Sequence, residues 1–392
     1  MPKKIIRCSP KASVLDMLYI VFLIAHLLSH SSCSLDKYQS NTYNFNLLEF
    51  SVAKEIHLPL DTATPPLIGY FQVLHRETDS LKYLIYNRFN KTLYFYDFKN
   101  EKLDKKVALA YKKGKIPDIN AFYYLNKDSI LLFPEYGDFY FICDETGMIN
   151  SKSSFVDEDD AQRIESHWIT ASNPLIKMNN YIYINNVFGW IAKEGEEDKF
   201  LLIEHNLKDG SSRFMIQHPS SVYDKNFDNS TFRHLGFTWK RAEPILIYSF
   251  NFDPYIYEYN SNQNSITKHY CAPEGYRLPP KVRSGEDLWI HFQTNHSFSK
   301  MEYDDFRKVL IRVALLPYDM DDIKAGITNP EDPKKPMIYL FDAQYNLMGG
   351  FVLDKSKQYY FTNIFTTQDG IWIQKITDNE NLMSFELIQY KL

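Results

Sequence analysis

Two short patterns, each filling six successive slots and always in the same order, constrain this chain more than anything else in it. The first is a turn residue followed by an alternating apolar run. It occurs at Asp79–Tyr86 (DSLKYLIY), Asp128–Phe133 (DSILLF), Asn180–Asn185 (NYIYIN), Glu243–Tyr248 (EPILIY), Asp287–Phe292 (DLWIHF) and Asp369–Gln374 (DGIWIQ). The second is a further β run that closes on Asp or Asn: Thr92–Asp97, Asp138–Asp144, Phe200–Asn206, Tyr255–Asn260 and Met337–Asp342. Leu382–Tyr390 fills its last slot at the C-terminus. Alternation with period two is the signature of a strand, and Asp or Asn at the end suits a tight turn because the side chain bonds nearby backbone N–H groups.

Each repeat therefore supplies successive antiparallel strands. Two strands alone bury no face, but three or four per sheet, with sheets stacked around an axis, do. Repeats of roughly 45–60 residues fit the blades of a propeller. A β-sandwich explains strands and turns but not six copies of one ordered pair. The expectation is an all-β, six-bladed β-propeller spanning residues 47–392. The aromatic content agrees with it: 29 Tyr and 28 Phe, stiff flat rings that pack well on pleated surfaces.

Closure follows from the two ends. The sixth repeat stops after its second pattern and has no outer strand of its own. Phe50–Leu60 (FSVAKEIHLPL) precedes the first repeat and has strand character. Pairing it with the C-terminal blade would close the ring and remove two open edges. One repeat is irregular. Asp79 to Asp97 is 18 positions, whereas Asp287 to Asp342 is 55, which implies an insertion at about 296–335. It holds Tyr303–Arg312 and the acidic run Asp319–Asp322, and Ile323–Pro336 reads as loop.

The first 33 residues read as an address. Lys3, Lys4, Arg7 and Lys11 precede an apolar run, Met17–Leu28, then a short polar stretch and Cys33. That order is a secretory signal peptide, and the apolar run is shorter than the ~20 residues of a membrane span. Cys33 stands where a lipoprotein would be cleaved and acylated, with His30 in place of the usual Leu three positions before it. Ser34–Asn46 is polar and reads as a flexible tether. The expected address is the outer membrane of a cell envelope, held through a lipid anchor. Only Asp36 follows closely as an acidic residue, which favours the periplasmic face. Cys143 and Cys271 remain in the body; one disulfide between them would suit an oxidising compartment, but they show no framework spacing, which favours two unrelated buried thiols.

The lipoprotein-like start, the six repeats and Tyr303-Asp-x-x-Arg307…Arg312 together resemble the uncharacterised six-bladed propeller lipoproteins of gut anaerobes, grouped with TolB-like propellers. The resemblance implies fold and address but no chemistry. Asp369–Ile373 and Glu286–Ile290 also resemble blade strands of periplasmic sensor propellers.

Sequence motifs for chemistry are few. There is no Gly-x-Ser-x-Gly elbow, no clustered-glycine phosphate loop, no His-Glu-x-x-His and no calcium loop. His291 and His296 diverge if they lie on a strand and its following loop, so metal binding is not expected. The acidic groups Asp157–Asp160 and Glu194–Asp198 read as solvated loops. A net charge of −5 lacks the basic footprint of a nucleic-acid binder. Arg307 and Arg312 are the candidate anion-binding residues at the propeller mouth, because Arg offers bidentate contacts. Their competing role is a local salt bridge with Asp304 or Asp305. Trp289 and Trp372 are expected between blades rather than on a sugar. The resulting expectation is a binding or scaffold module for an unknown protein or glycan, with no cofactor and no metal. The alternative is a glycan- or peptide-processing enzyme using the central pocket.

Overall fold

The chain is described here from a computed structural model covering residues 47–392, apart from 79, 156–168, 187–199, 218–234, 274, 278–290, 319–320, 322–323, 326–333, 354–357 and 392. The first strand, β1 (Phe50–Pro59), belongs to the last blade. Blade one is β2 (Phe71–Leu74), β3 (Lys82–Asn87), β4 (Thr92–Asp97) and β5 (Lys102–Ala108). Blade two is β6 (Ile119–Asn126), β7 (Ser129–Pro134), β8 (Phe139–Cys143) and β9 (Ile149–Ser154). Blade three is β10 (Ile176–Met178), β11 (Tyr181–Asn185), β12 (Phe200–Asn206) and β13 (Ser212–Gln217). Blade four is β14 (Leu235–Lys240), β15 (Ile245–Phe250), β16 (Tyr255–Asn260) and β17 (Ser265–Tyr270). Blade five is β18 (Ser297–Asp304), β19 (Val309–Leu315), β20 (Pro336–Phe341) and β21 (Leu347–Val352). Blade six is β22 (Tyr359–Thr367), β23 (Gly370–Lys375) and β24 (Leu382–Tyr390), completed by β1 as its outer strand. The expected all-β six-bladed propeller, closed by its N-terminal strand, is thus the observed fold.

In every blade but the fifth, the second and third strands are the two sequence patterns. They are mostly apolar, as β4 (TLYFYD) and β15 (ILIYSF) show, because both faces are covered by neighbouring blades. Outer strands alternate and carry charge. β5 (KLDKKVA) is the plainest, and its lysines discourage pairing with another edge. At the ring seam the core between blades six and one is aromatic. Tyr83 meets Phe385 at 5.1 Å, and Phe98 meets Trp372 at 5.0 Å and Phe365 at 5.2 Å, all edge to face. Turn geometry is tight where β23 begins. Gly370 has φ +151°, and a Cβ there would sit 2.5 Å from the Ile388 carbonyl oxygen, so only glycine fits after Asp369.

Blade five departs from the expectation. Residues 291–294 form a helical turn, so His291 and Phe292 are not strand residues, and Asp287 lies outside the described residues. The repeat's second strand is β19 instead, and Ser297–Leu315 is a β18–β19 hairpin rather than inserted material. The long β19–β20 connection at 316–335 is what lengthens the repeat. The cause of the misreading is physical: Arg312 stands in the middle of Val309–Leu315 and breaks its apolar pattern. The signal-like segment, Cys33 and the tether, 34–46, lie outside the described residues.

Candidate central site

The six inner strands β2, β6, β10, β14, β18 and β22 each contribute to one cavity of about 460 Å³. Gln72, Tyr123, Lys177, Trp239, Lys300, Glu302 and Ile364 come from those strands, and Arg76, Arg241 and Asp305 from just beyond their ends. Neighbouring inner strands are cross-linked at the wall. The Gln72 amide donates to the Tyr124 carbonyl and accepts from the Tyr124 N–H at 2.7 Å.

Glu302 is the centre of the charge network. It is 4% exposed. Its Oε1 accepts from Arg76 Nη1 at 2.6 Å and from Arg241 Nη2 at 3.2 Å, and its Oε2 is 4.0 Å from Lys300 Nζ. Burial alone would raise the Glu302 carboxyl, but the charges of Arg76, Lys300 and Arg241 outweigh it and hold it below its ordinary value. Arg241 also grips Asp305, through Nη1 at 2.5 Å and its backbone N–H at 3.0 Å. Its guanidinium lies 4.9 Å from the Trp239 ring centroid. Lys300 is fully buried and donates to the Ala171 carbonyl. Burial brings its amine down to about 8, with Glu302 opposing. Burial and the nearby Arg241 bring Arg76 down to about 10. Burial pushes the Tyr123 phenol up to about 12.

The two arginines singled out from sequence do not line this cavity. Arg307 donates to Asp304 Oδ2 at 2.9 Å and to the carbonyls of Thr367 and Gln368 in blade six. Asp304 Oδ1 accepts from the backbone of Phe306 and Arg307, so Tyr303-Asp-x-x-Arg307 is a turn tied by an ion pair. Arg312 is wholly buried between blades four and five. It donates to the Cys271 and Asp253 carbonyls and to Ser249 Oγ, and lies 3.3 Å from the Phe298 ring centroid. The guanidiniums that line the cavity are instead those of Arg76 and Arg241. Those were missed because the cavity exists only after the ring closes, and nothing local marks them. The one usable signal is position, since both stand in the turn before a first-pattern strand.

Other expected candidates sit as follows. Trp372 is buried at the ring seam with its indole N–H on Thr367 Oγ1, and Trp289 lies outside the described residues. His291 and His296 are both buried, and burial with the nearby Lys334 charge brings each down to about 4. Among the described residues no three His, Cys, Asp or Glu side chains group as metal ligands. Cys143 and Cys271 are free and buried, in separate cores, and burial pushes each thiol up to about 12. Asp157–Asp160 and Glu194–Asp198 lie outside the described residues.

No protein-family model matches the chain, and no curated protein matches its sequence. Solved structures do. A member of the DUF4221 family from Bacteroides vulgatus superposes with TM-score 0.72 at 16% identity, over 88% of this chain and 99% of that one. A candidate exported protein from Bacteroides fragilis superposes with TM-score 0.53 at 12% identity, over 89% and 99%. At these identities the likeness is one of fold. Among the described residues no helix is long and apolar enough to cross a membrane.

Proposed function

We propose that this chain is an exported binding module of the bacterial cell envelope, tethered through an acylated Cys33 to the periplasmic face of the outer membrane, which receives a small ligand in its central cavity. The observation that carries the binding reading is the state of the cavity's carboxylates. A glycosidase needs one carboxyl kept protonated near neutral pH by an environment that raises its pKa. Here Glu302 is shared by two arginines and faces Lys300, its carboxyl held low, and Asp305 is clamped by Arg241. Such groups suit recognition on a rigid frame better than proton transfer. The lipoprotein-like order of residues 1–33 and the likeness to a candidate exported protein support the address.

Two measurements test this. Expression in a Gram-negative host with labelled fatty acid should label the native chain and leave a Cys33→Ser version unlabelled; label on neither places the protein free of the membrane. Incubation with oligosaccharide and peptide pools should give a saturable rise in melting temperature, with every ligand recovered at unchanged mass. Cleaved products would replace the binding reading by the enzymatic one.

A further inference from the structure

The charges of the central cavity bear on what it holds, given the binding reading above. Its described lining carries four cations, Arg76, Lys177, Arg241 and Lys300, against three carboxylates, Glu77, Glu302 and Asp305. The excess is one positive charge, in a protein whose net charge is −5. We infer that the cavity takes a small organic carboxylate, a monoanion whose carboxylate pairs with the Arg76 and Arg241 guanidiniums and whose body lies among Trp239 and Tyr123.

Three observations lead there. First, one carboxylate is shared too widely. Glu302 Oε1 accepts from both arginines while Lys300 stands 4.0 Å from Oε2, so no cation near it has a carboxylate to itself except where Arg241 reaches Asp305. Second, the donors are available. A guanidinium offers five N–H bonds. Arg76 gives one to Glu302, and none of its nitrogens is among the sealed, unbonded polar atoms, so its unused donors keep accessible surface in a residue that lines the cavity. Burial with incomplete pairing is costly for a charge, and a fixed anion relieves it. Third, the size and walls fit. About 460 Å³ holds a sugar acid or a peptide terminus but not a polymer, and the aromatic side chains offer flat apolar surface. A single excess charge matches a carboxylate, whereas a phosphate dianion would leave an uncompensated negative charge inside the ring.

A carboxylate can come from a uronic acid or from a peptide C-terminus, and paired probes separate them. Glucuronate against glucose, N-acetylphenylalanine against its amide, and inorganic phosphate are titrated by calorimetry into the full chain. The acid of one pair should bind at least about tenfold tighter than its neutral partner, and Arg76→Gln should remove that preference, as expected for a charge-assisted paired contact. Arg76→Lys should keep part of it, and melting curves of both variants check that they fold. Salt should weaken the acid and leave the neutral partner unchanged. The pair showing the preference names the source. Equal binding of acid and neutral forms, lost in Trp239→Ala, overturns the carboxylate inference and leaves the cavity reading standing. Tighter binding of phosphate overturns it too. No saturable heat from any probe at concentrations on the order of 10 mM, where an affinity of only about −3 kcal/mol would still register, overturns both.

Discussion

Deleting residues 50–60 is expected to abolish the cooperative unfolding transition of the propeller, although it removes only one of the 24 described strands. β1 pairs with β24 from Phe50 opposite Tyr390 to Pro59 opposite Leu382. Just before it, the Leu48 N–H donates to the Gly350 carbonyl on β21 of blade five, so the incoming chain ties two blades before it seals one. Ile56 and Leu58 are fully buried in the seam core with Phe385, Met383, Tyr83 and Trp372. Burying a side chain of this kind contributes about 1.5–3 kcal/mol, and truncating it in a packed core costs about 2–5 kcal/mol. Two such side chains, a lost ladder and a bare β24 edge together rival the ~5–15 kcal/mol by which a folded protein exceeds its unfolded state. The deletion should therefore give a broad or absent urea transition and concentration-dependent aggregation through the opened edge. Ile56→Ala should keep the transition but move its midpoint down by an amount equivalent to about 2–4 kcal/mol. A deletion variant that melts sharply at the native midpoint would show that three strands suffice for blade six, and the closure argument would fall.

The same seam marks how far the sequence could be read. The middle strands of the blades were legible because both of their faces are covered, which makes them mostly apolar, as in Leu93–Tyr96 and Ile245–Tyr248. All six second-pattern segments became strands, and five of the six first-pattern segments did. Of Asp287–Phe292 only His291 and Phe292 are described, and they are not in a strand. Those two residues open a helical turn, while the blade's second strand was disguised by Arg312. The inner strands were hardest. They face an axis that is partly polar, so β2 (FQVL) and β18 (SFSKMEYD) show no clean period. The site they build joins groups as far apart as Arg76 and Glu302, 226 residues in sequence. No local pattern encodes that pairing, because ring closure alone creates it. Arg307 and Arg312 drew notice for the complementary reason, although neither lines the central cavity. Their short-range spacing was visible, but local charge pairs near a turn are most often scaffolding.

Arg312 is where the disguise has an energetic counterpart. Its side chain is sealed between blades four and five, with no carboxylate among the described residues hydrogen-bonded to it. It is held by the Cys271 and Asp253 carbonyls, Ser249 Oγ and the face of Phe298. Arg312→Ala leaves a cavity and three acceptors without a donor, so a loss of about 3–5 kcal/mol is expected in urea unfolding. Arg312→Met fills most of the volume without a buried charge and should recover about 1–2 kcal/mol of that. The pH dependence distinguishes a charge effect from a packing effect. Asp253 is fully buried, and burial raises its carboxyl to about 6, against the pull of its bonds to the Tyr255 N–H and the Tyr257 hydroxyl and of the Arg312 charge. A carboxyl raised in the folded state contributes stability that is full below its unfolded value of 3.8 and is lost as pH rises through about 6. Without the Arg312 charge Asp253 rises further, so more stability is lost between pH 5 and 7. Arg312→Met should therefore lie closer to the native protein at pH 5 than at pH 7, and the additional Asp253→Asn change should remove that difference. Equal losses at both pH values would mean that Arg312 acts through shape alone, and that its charge is an incidental cargo of the strand it interrupts.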